Sequence, residues 1–203
     1  MNFKILICVI SITLFSCATP KYDVIIVGGG ASGITAAIQS SRLGSKTLLI
    51  EKTDWLGGML TSAGVSAMDG NYNMPSGFIN EFRDSLVSYY GSLENLKTGW
   101  VSNIMFEPLV GNKILNSIAQ KQDNLEIIFN SRVKNINNKK DNWEVNFDTN
   151  SNSQKVTSKI LIDATELGDL IPMLDIPYSV GMDSKSKFGE KIDPFKSNNI
   201  IQD

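Results

Sequence analysis

The stretch that decides the fold runs from residue 22 to residue 33 and reads YDVIIVGGGASG. Its first half, residues 22–27, is rich in β-branched residues and ends in glycines, which is typical of a buried parallel strand. Apolar residues at helical spacing follow over residues 31–43, and a second apolar strand is predicted over residues 46–50. Together these segments predict a β-α-β unit.

The glycines between the first strand and the helix indicate a chemical role. Gly28, Gly30 and Gly33 satisfy the spacing GxGxxG directly after a strand and at the start of a helix. In that setting the first glycine permits a tight turn, the second lets the backbone approach a pyrophosphate, and the third lets the helix pack close to the strand. The free N–H groups of the first helical turn, which contains Ala31 and Ser32, then face the phosphates.

A carboxylate supports the same interpretation. Glu51 ends the second predicted strand, about twenty residues after Gly30, where an acid accepts hydrogen bonds from an adenosine ribose. The sequence therefore predicts a dinucleotide site. An acid at this position disfavours the 2′-phosphate of NADP, whereas NAD and FAD both stay open on these residues alone.

Two later segments extend the pattern: residues 51–59, EKTDWLGGM, and residues 161–170, LIDATELGDL. With the glycine-rich turn they resemble the FAD-dependent oxidoreductases of the glutathione-reductase-like superfamily, in their N-terminal FAD-binding part. The resemblance runs from about Tyr22 to the end of the chain. It implies FAD as the cofactor and transfer of hydride or electrons between an unknown small-molecule substrate and the flavin.

The resemblance also implies where the cofactor is held. In that family a glycine pair, here Gly57-Gly58, lets a loop pass close to the flavin side of the pyrophosphate. A returning strand ends beside the first glycine-rich turn, here at Ala164-Thr165, and a ribbon strand around Val133 reaches the adenine. Glu166 stands where many relatives have glycine. The full set of predicted cofactor contacts is Gly28, Gly30, Ala31, Ser32, Gly33, Glu51, Lys52, Gly57, Gly58, Met59, Val133, Ala164 and Thr165.

The rest of the chain predicts an α/β fold. Amphipathic helices are expected to begin at Gly77 and at Glu107-Pro108. We expect a Rossmann-like FAD/NAD(P)-binding domain over residues 22–203, with a central parallel sheet and a small three-stranded antiparallel ribbon over about residues 125–148. The resemblance implies that this domain is incomplete at its C-terminus and that the substrate domain is absent. The predicted later strands span residues 125–129, 133–136, 143–147 and 156–162.

The first residues predict a targeting signal. The apolar run over residues 5–15 follows a lysine; it is too short to span a bilayer but fits a signal peptide. It ends in LFSC at residues 14–17, which resembles the lipobox of bacterial lipoproteins. That resemblance implies a signal peptide over residues 1–16, lipidation at Cys17, a linker over residues 17–21 and anchoring to a membrane of the bacterial cell envelope. An ordinary secretory signal is the alternative.

The composition excludes several kinds of chemistry. The 203 residues include no histidine, and the two cysteines, Cys8 and Cys17, both lie in the predicted targeting region. Ser-His-Asp triads and His-based zinc sites are therefore excluded, no metal site is expected, and a dithiol relay is excluded after Cys17. The 19 Lys and Arg residues nearly balance 21 Asp and Glu residues, so a nucleic-acid partner has little support.

The sequence leaves three functions open. The first is an exported, lipid-anchored FAD-dependent oxidoreductase, or its FAD-binding portion. The second is a catalytically inactive, truncated nucleotide-binding lipoprotein, and the third is an NAD-dependent dehydrogenase. The expected partners are a small-molecule substrate, a membrane reached through the lipid, and either a missing C-terminal half or a second copy of the chain. No catalytic residue is assigned, because surface or capping roles are more common for the candidate proton carriers Asp69, Tyr72, Glu81 and Arg83.

Overall fold

The computed structural model describes residues 21–70, 72–100, 102–181 and 184–189. The predicted signal peptide, Cys17 and most of the linker lie outside the described residues. The helices are α1 (Ala31–Arg42), α2 (Gly77–Tyr90), α3 (Pro108–Ala119) and the four-residue α4 (Lys185–Phe188). The strands are β1 (Lys21–Val27), β2 (Thr47–Ile50), β3 (Leu125–Ile128), β4 (Arg132–Lys139), β5 (Asn142–Asp148) and β6 (Ser153–Asp163).

All six strands belong to one sheet with the order β3-β2-β1-β6-β5-β4. The strand β1 lies near its centre and pairs in parallel with β2 on one side and with β6 on the other. The first three elements, β1, α1 and β2, form the predicted β-α-β unit. The prediction of an α/β fold with a central parallel sheet is therefore confirmed.

The prediction for residues 125–129 is wrong in one respect, because β3 does not belong to the antiparallel ribbon. It pairs in parallel with β2, from Thr47 opposite Leu125 to Ile50 opposite Ile128. All four residues of β2 are buried, so β2 needs a hydrogen-bonded neighbour on its outer side, and β3 fills that place. The preceding helix α3 supplies the long connection that a parallel strand requires.

The antiparallel part of the sheet is formed instead by β4, β5 and the first half of β6. Residues 153–158 of β6 pair with β5, and residues 157–163 pair with β1. One long strand thus joins the ribbon to the parallel sheet. Its carboxyl end emerges beside the carboxyl end of β1, which is where open α/β sheets bind their ligands.

The core lies on both faces of the sheet. Ile25 and Ile26 are adjacent in β1, point to opposite faces and are both fully buried, which explains the continuous apolar run in the sequence. Ile26 packs in the cluster beneath the helices, which includes Ile34 of α1. Ile25 packs in a second cluster with Phe147 of the ribbon.

The two later helices begin where the sequence predicts. Pro108 occupies the first turn of α3, where its missing N–H costs nothing. The helix α2 ends at Gly91, whose φ of +89° caps the helix. Among the described helices none combines the length and the apolar character needed to cross a membrane.

Candidate functional site

The carboxyl end of β1 turns sharply at Gly28, which has a φ of +97°. Its N–H donates to the carbonyl oxygen of Ile50 at 2.9 Å. A Cβ at Gly28 would lie 2.5 Å from the carbonyl oxygen of Ala164, so a side chain here would collide with the segment that follows β6. Ala164 is held by its own N–H, which donates to the carbonyl oxygen of Val27 at 2.8 Å. Glycine is therefore required at the turn by both its φ and its neighbour.

The helix α1 begins directly after this turn. Gly30 caps it without a side chain, and the first hydrogen bond of the helix joins the N–H of Ile34 to the carbonyl oxygen of Gly30 at 2.9 Å. Within the described part of the chain, the N–H groups of Ala31, Ser32 and Gly33 have no acceptor. Three unpaired N–H groups at the positive end of a helix favour an anion.

The predicted glycine pair packs directly on this turn. The N–H of Gly57 donates to the carbonyl oxygen of Gly29 at 2.8 Å. Both Gly57 and Gly58 have positive φ, and a Cβ at Gly58 would lie 3.0 Å from the Cα of Gly30. The two glycine-rich segments are thus in backbone contact, and side chains at either one would close the approach to the helix.

Glu51 is buried and faces the same turn. One carboxylate oxygen accepts the N–H of Gly29 at 2.5 Å, and the other accepts the N–H and the hydroxyl of Thr53 at 2.8 and 2.7 Å. Three donors leave about one of the four acceptor sites of a carboxylate open. Glu51 therefore holds the glycine turn in place and also borders the cleft described below.

Asp163 organises the segment after β6, and the sequence analysis missed it. One of its oxygens accepts the N–H and the hydroxyl of Thr165 at 3.0 and 2.7 Å, and the other accepts the N–H of Leu170 at 3.1 Å. The hydroxyl of Thr165 in turn accepts the N–H of Asp169 at 2.7 Å. A sequence signal for Asp163 does exist. It is an aspartate at the end of an apolar strand, two residues before a threonine, and such an aspartate is typical of a turn.

These segments border a cleft of about 890 Å³ at the carboxyl ends of β1, β2 and β6. That volume lies within the usual range for small-molecule and cofactor sites. The lining includes Gly28, Gly30, Gly58 and Glu51, and Gly30 directly precedes the free N–H groups of α1, so the cleft fits an extended dinucleotide. The predicted contacts that line it are Gly28, Gly30, Glu51, Lys52, Gly58, Met59, Val133, Ala164 and Thr165.

Four other predicted contacts do not line the cleft. Ala31 and Ser32 are exposed on the first turn of α1. Gly57 lies beneath the glycine turn, and Gly33 faces the carbonyl of Gly28. These residues shape the cleft through their backbones. Lining residues that were not among the predicted contacts include Ser62, Ala63, Ser131, Arg132, Leu167 and Asp169.

Two of the candidate proton carriers have structural partners. Glu81 forms a two-pronged ion pair with Arg42 across α2 and α1, at 2.7 and 2.8 Å. The hydrogen bond from Arg42 holds the pKa of Glu81 below its ordinary value. Arg83 donates to the carbonyl oxygens of Tyr72 and Met74 at 2.8 and 3.2 Å, which holds that loop against α2.

Comparison with known proteins identifies relatives of the same kind. The sequence profile of a family described as FAD dependent oxidoreductase matches residues 23–203. An NADH:fumarate oxidoreductase from Klebsiella pneumoniae is 37% identical over 89 residues, 42% of this chain and 9% of the relative. A digeranylgeranylglycerophospholipid reductase from Methanococcus vannielii is 27% identical over 148 residues, 71% of this chain and 38% of the relative. The chain thus spans well under two thirds of the length of these curated relatives.

Solved structures share the fold. A flavoprotein/dehydrogenase from Cytophaga hutchinsonii has a TM-score of 0.57 at 19% identity, over 83% of this chain and 44% of that one. A mutant of the halogenase PltM in complex with FAD has a TM-score of 0.57 at 18% identity, over 81% of this chain and 38% of that one. The family match covers most of the chain and all of the cleft. The chain therefore belongs to the FAD-dependent oxidoreductase family, an enzyme family whose cofactor is FAD.

Proposed function

We propose that this chain supplies the FAD-binding part of an oxidoreductase that transfers hydride or electrons between a small-molecule substrate and the flavin. The observation that carries the proposal is the contact of three backbone segments around the start of α1. The turn at Gly28, the glycine pair at Gly57 and the segment at Ala164 meet there through their backbones and leave an opening at Gly30, where an added Cβ would meet only the carboxylate of Glu166. Such an opening suits a phosphate that must approach the backbone closely.

The chain offers a distinct group to the pyrophosphate, to a ribose and to the adenine of the cofactor. The unpaired N–H groups of Ala31, Ser32 and Gly33 would receive the pyrophosphate, and the remaining lone pair of Glu51 would receive a ribose hydroxyl. Val133 lines the cleft where the family resemblance places the adenine. Bound FAD would supply the hydride and electron chemistry, while the protein binds and orients it.

A visible absorption spectrum of the purified protein, followed by heat release of any bound flavin, tests the proposal. We expect a flavin spectrum and about one FAD released per chain. The matched variant is Gly30→Val. A Cβ at Gly30 meets only the carboxylate of Glu166, at 3.3 Å, so a side chain fits there but blocks the approach of a phosphate. This variant should fold and be colourless.

The same measurement separates the other functions. A colourless wild-type protein that binds NAD reversibly would contradict the proposal and favour a dehydrogenase. A folded protein that binds neither FAD nor NAD would favour an inactive module. Circular dichroism of both proteins confirms that a missing spectrum is not a failure to fold.

We also propose that the protein is exported and anchored in the bacterial cell envelope through lipid on Cys17. The support is the apolar run over residues 5–15 and the lipobox-like residues 14–17. Acyl chains contribute about 0.8 kcal/mol for each buried methylene, so two or more anchor a protein stably.

Detergent phase partitioning of protein from cells fed a labelled fatty acid tests the anchor. The wild-type protein should carry label and enter the detergent phase. Cys17→Ser should lose both properties, and Cys8→Ser, inside the predicted signal peptide, should keep them. Label retained by Cys17→Ser would overturn the assignment.

A further inference from the structure

The carboxylate of Glu166 lies on the open face of the phosphate-binding turn. Its Oε1 lies 3.3 Å from the point that a Cβ on Gly30 would occupy and 2.9 Å from the same point on Gly58. Those two glycines are in contact with each other, since a Cβ on Gly58 would lie 3.0 Å from the Cα of Gly30. Because Gly30 and Gly58 have no side chains, they form an open surface beside the start of α1. The negatively charged carboxylate of Glu166 lies on that surface.

Glu166 differs in this respect from the other glutamate of the cleft. The oxygens of Glu51 accept three hydrogen bonds from Gly29 and Thr53, so its position is fixed by the fold. Glu166 makes no hydrogen bond or ion pair with any residue that the structure describes, and its side chain is exposed. Among the residues that the structure describes, neither a cation nor a hydrogen-bond donor neutralises the charge of Glu166.

The other charged residues that line the cleft do not compensate for the negative charge of Glu166. The cations among the described lining residues are Lys52, which follows β2, and Arg132, the first residue of β4. Asp169 adds a further carboxylate on the segment that carries Glu166. The ionised side chains of the lining are thus two cations and three carboxylates, so attraction for a phosphate comes mainly from the N–H groups of α1.

We propose that Glu166 is an affinity-determining residue of the FAD site whose carboxylate competes with the pyrophosphate for the face formed by Gly30 and Gly58. The inference rests on the proposed binding of FAD in this cleft. Two anionic groups within contact distance repel each other, and an exposed pair at about 4 Å interacts by about 1 kcal/mol in water and more where water is excluded. Binding of the dinucleotide therefore requires the Glu166 side chain to swing out of the cleft.

Titration of the purified full chain with FAD tests this, with ADP as a second probe that carries the same diphosphate without a flavin. The variant Glu166→Gln removes the charge and keeps the shape. We expect it to bind both FAD and ADP about 5- to 20-fold more tightly at low ionic strength. The variant Glu166→Asp keeps the charge but withdraws it, and should fall between the two. Glu94→Gln is the control, because Glu94 lies outside the cleft and forms an ion pair with Lys97 at the surface.

Salt separates a charge effect from a shape effect. Raising NaCl from about 20 to about 500 mM shortens the Debye length severalfold, so the difference between the wild-type protein and Glu166→Gln should shrink. A difference that does not respond to salt would overturn the assignment of a charge effect. Urea unfolding of each variant confirms that the changes in affinity do not reflect partial unfolding.

The outcomes distinguish this inference from the function on which it rests. Equal affinity of the wild-type protein and Glu166→Gln for FAD would overturn the role of Glu166 and leave the FAD site intact. Weaker binding by Glu166→Gln would overturn it as well, because the carboxylate would then contact the ligand favourably. Binding of neither FAD nor ADP by any variant would overturn both the inference and the FAD-binding function.

Discussion

Gly33 lies so close beneath Gly28 that a Cβ on Gly33 would overlap the carbonyl oxygen of Gly28. Two atoms cannot share that space, so the spacing between α1 and β1 depends on the absence of a side chain. The same contact sets how closely α1 approaches the end of β1, next to Gly30 of the cleft. One glycine therefore links the packing of the β-α-β unit to the geometry of the proposed phosphate site.

Gly33→Ala should destabilise the protein strongly, because the overlap involves backbone on both sides and α1 must move away from β1. We expect a loss of at least about 3 kcal/mol in the free energy of unfolding, measured by urea denaturation. Gly44→Ala is the control. Gly44 has a φ of +87° but nothing within 4 Å of its added Cβ, so only backbone strain of about 1 kcal/mol applies. Equal losses for the two variants would contradict the packing argument.

Glu51→Gln tests whether the carboxylate holds the glycine turn. Glutamine presents one oxygen and one NH₂ group, so one of the three donors on Gly29 and Thr53 would lose its acceptor inside the protein. We expect a loss of about 1 to 3 kcal/mol in the free energy of unfolding at pH 7. The exposed Glu94→Gln change should stay within about 0.5 kcal/mol of the wild-type protein. An unchanged urea midpoint for Glu51→Gln would show that the turn is held without its carboxylate.

The β-α-β unit was predictable because its local signals agree with one another. The run over residues 22–27 is apolar on both faces, and the structure buries both Ile25 and Ile26. The position of β3 was not predictable in the same way. Three of its four residues are half-buried and one is exposed, so the strand has no distinct buried face, and whether it joins the sheet or a ribbon depends on which edge is free. That edge belongs to β2, far away in the sequence.

The candidate site, like the fold, has a part that was predictable from the sequence and a part that was not. Glycine spacing alone identifies Gly28 and Gly33, because an added Cβ at either one would collide with backbone atoms, whereas Gly58 was found only through the family resemblance. The hydrogen bonds of Asp163 and the position of the Glu166 carboxylate over two distant glycines depend on tertiary contacts. A single sequence contains no spacing rule that reports such contacts. Ribose binding by Glu51 stays a prediction.

Arg83 should protect the loop that precedes α2 from cleavage by a protease. Its guanidinium is mostly buried and donates to the carbonyl oxygens of Tyr72 and Met74. Arg83→Ala removes both hydrogen bonds, so the loop should open more often and chymotrypsin should cut after Tyr72 about three- to tenfold faster. Mass spectrometry identifies the cut. Arg132→Ala, which removes an exposed arginine elsewhere, should leave the rate unchanged, and equal rates for both variants would exclude the role given to Arg83.

The ion pair between Arg42 and Glu81 should make stability depend on pH. The hydrogen bond from Arg42 is the largest cause that lowers the pKa of Glu81 from its ordinary 4.5, and the charges of Arg42 and Lys121 lower it further, while burial opposes them. A carboxyl group with a lowered pKa in the folded state stabilises the fold above its unfolded pKa, and this contribution is lost as the pH falls through the folded value. Since both side chains are about a third exposed, we expect Glu81→Gln to lose about 0.5 to 1 kcal/mol at pH 7 and less than that at about pH 3.

Urea unfolding at both pH values, with Glu94→Gln as a variant that leaves α1 and α2 untouched, measures this difference. The loss at pH 7 should also shrink in about 1 M NaCl, because salt screens an exposed pair. A loss in Glu81→Gln that is the same at pH 3 and pH 7 would mean that Glu81 contributes by packing its methylene groups against α1. In that case its charge would have no part in holding the two helices together.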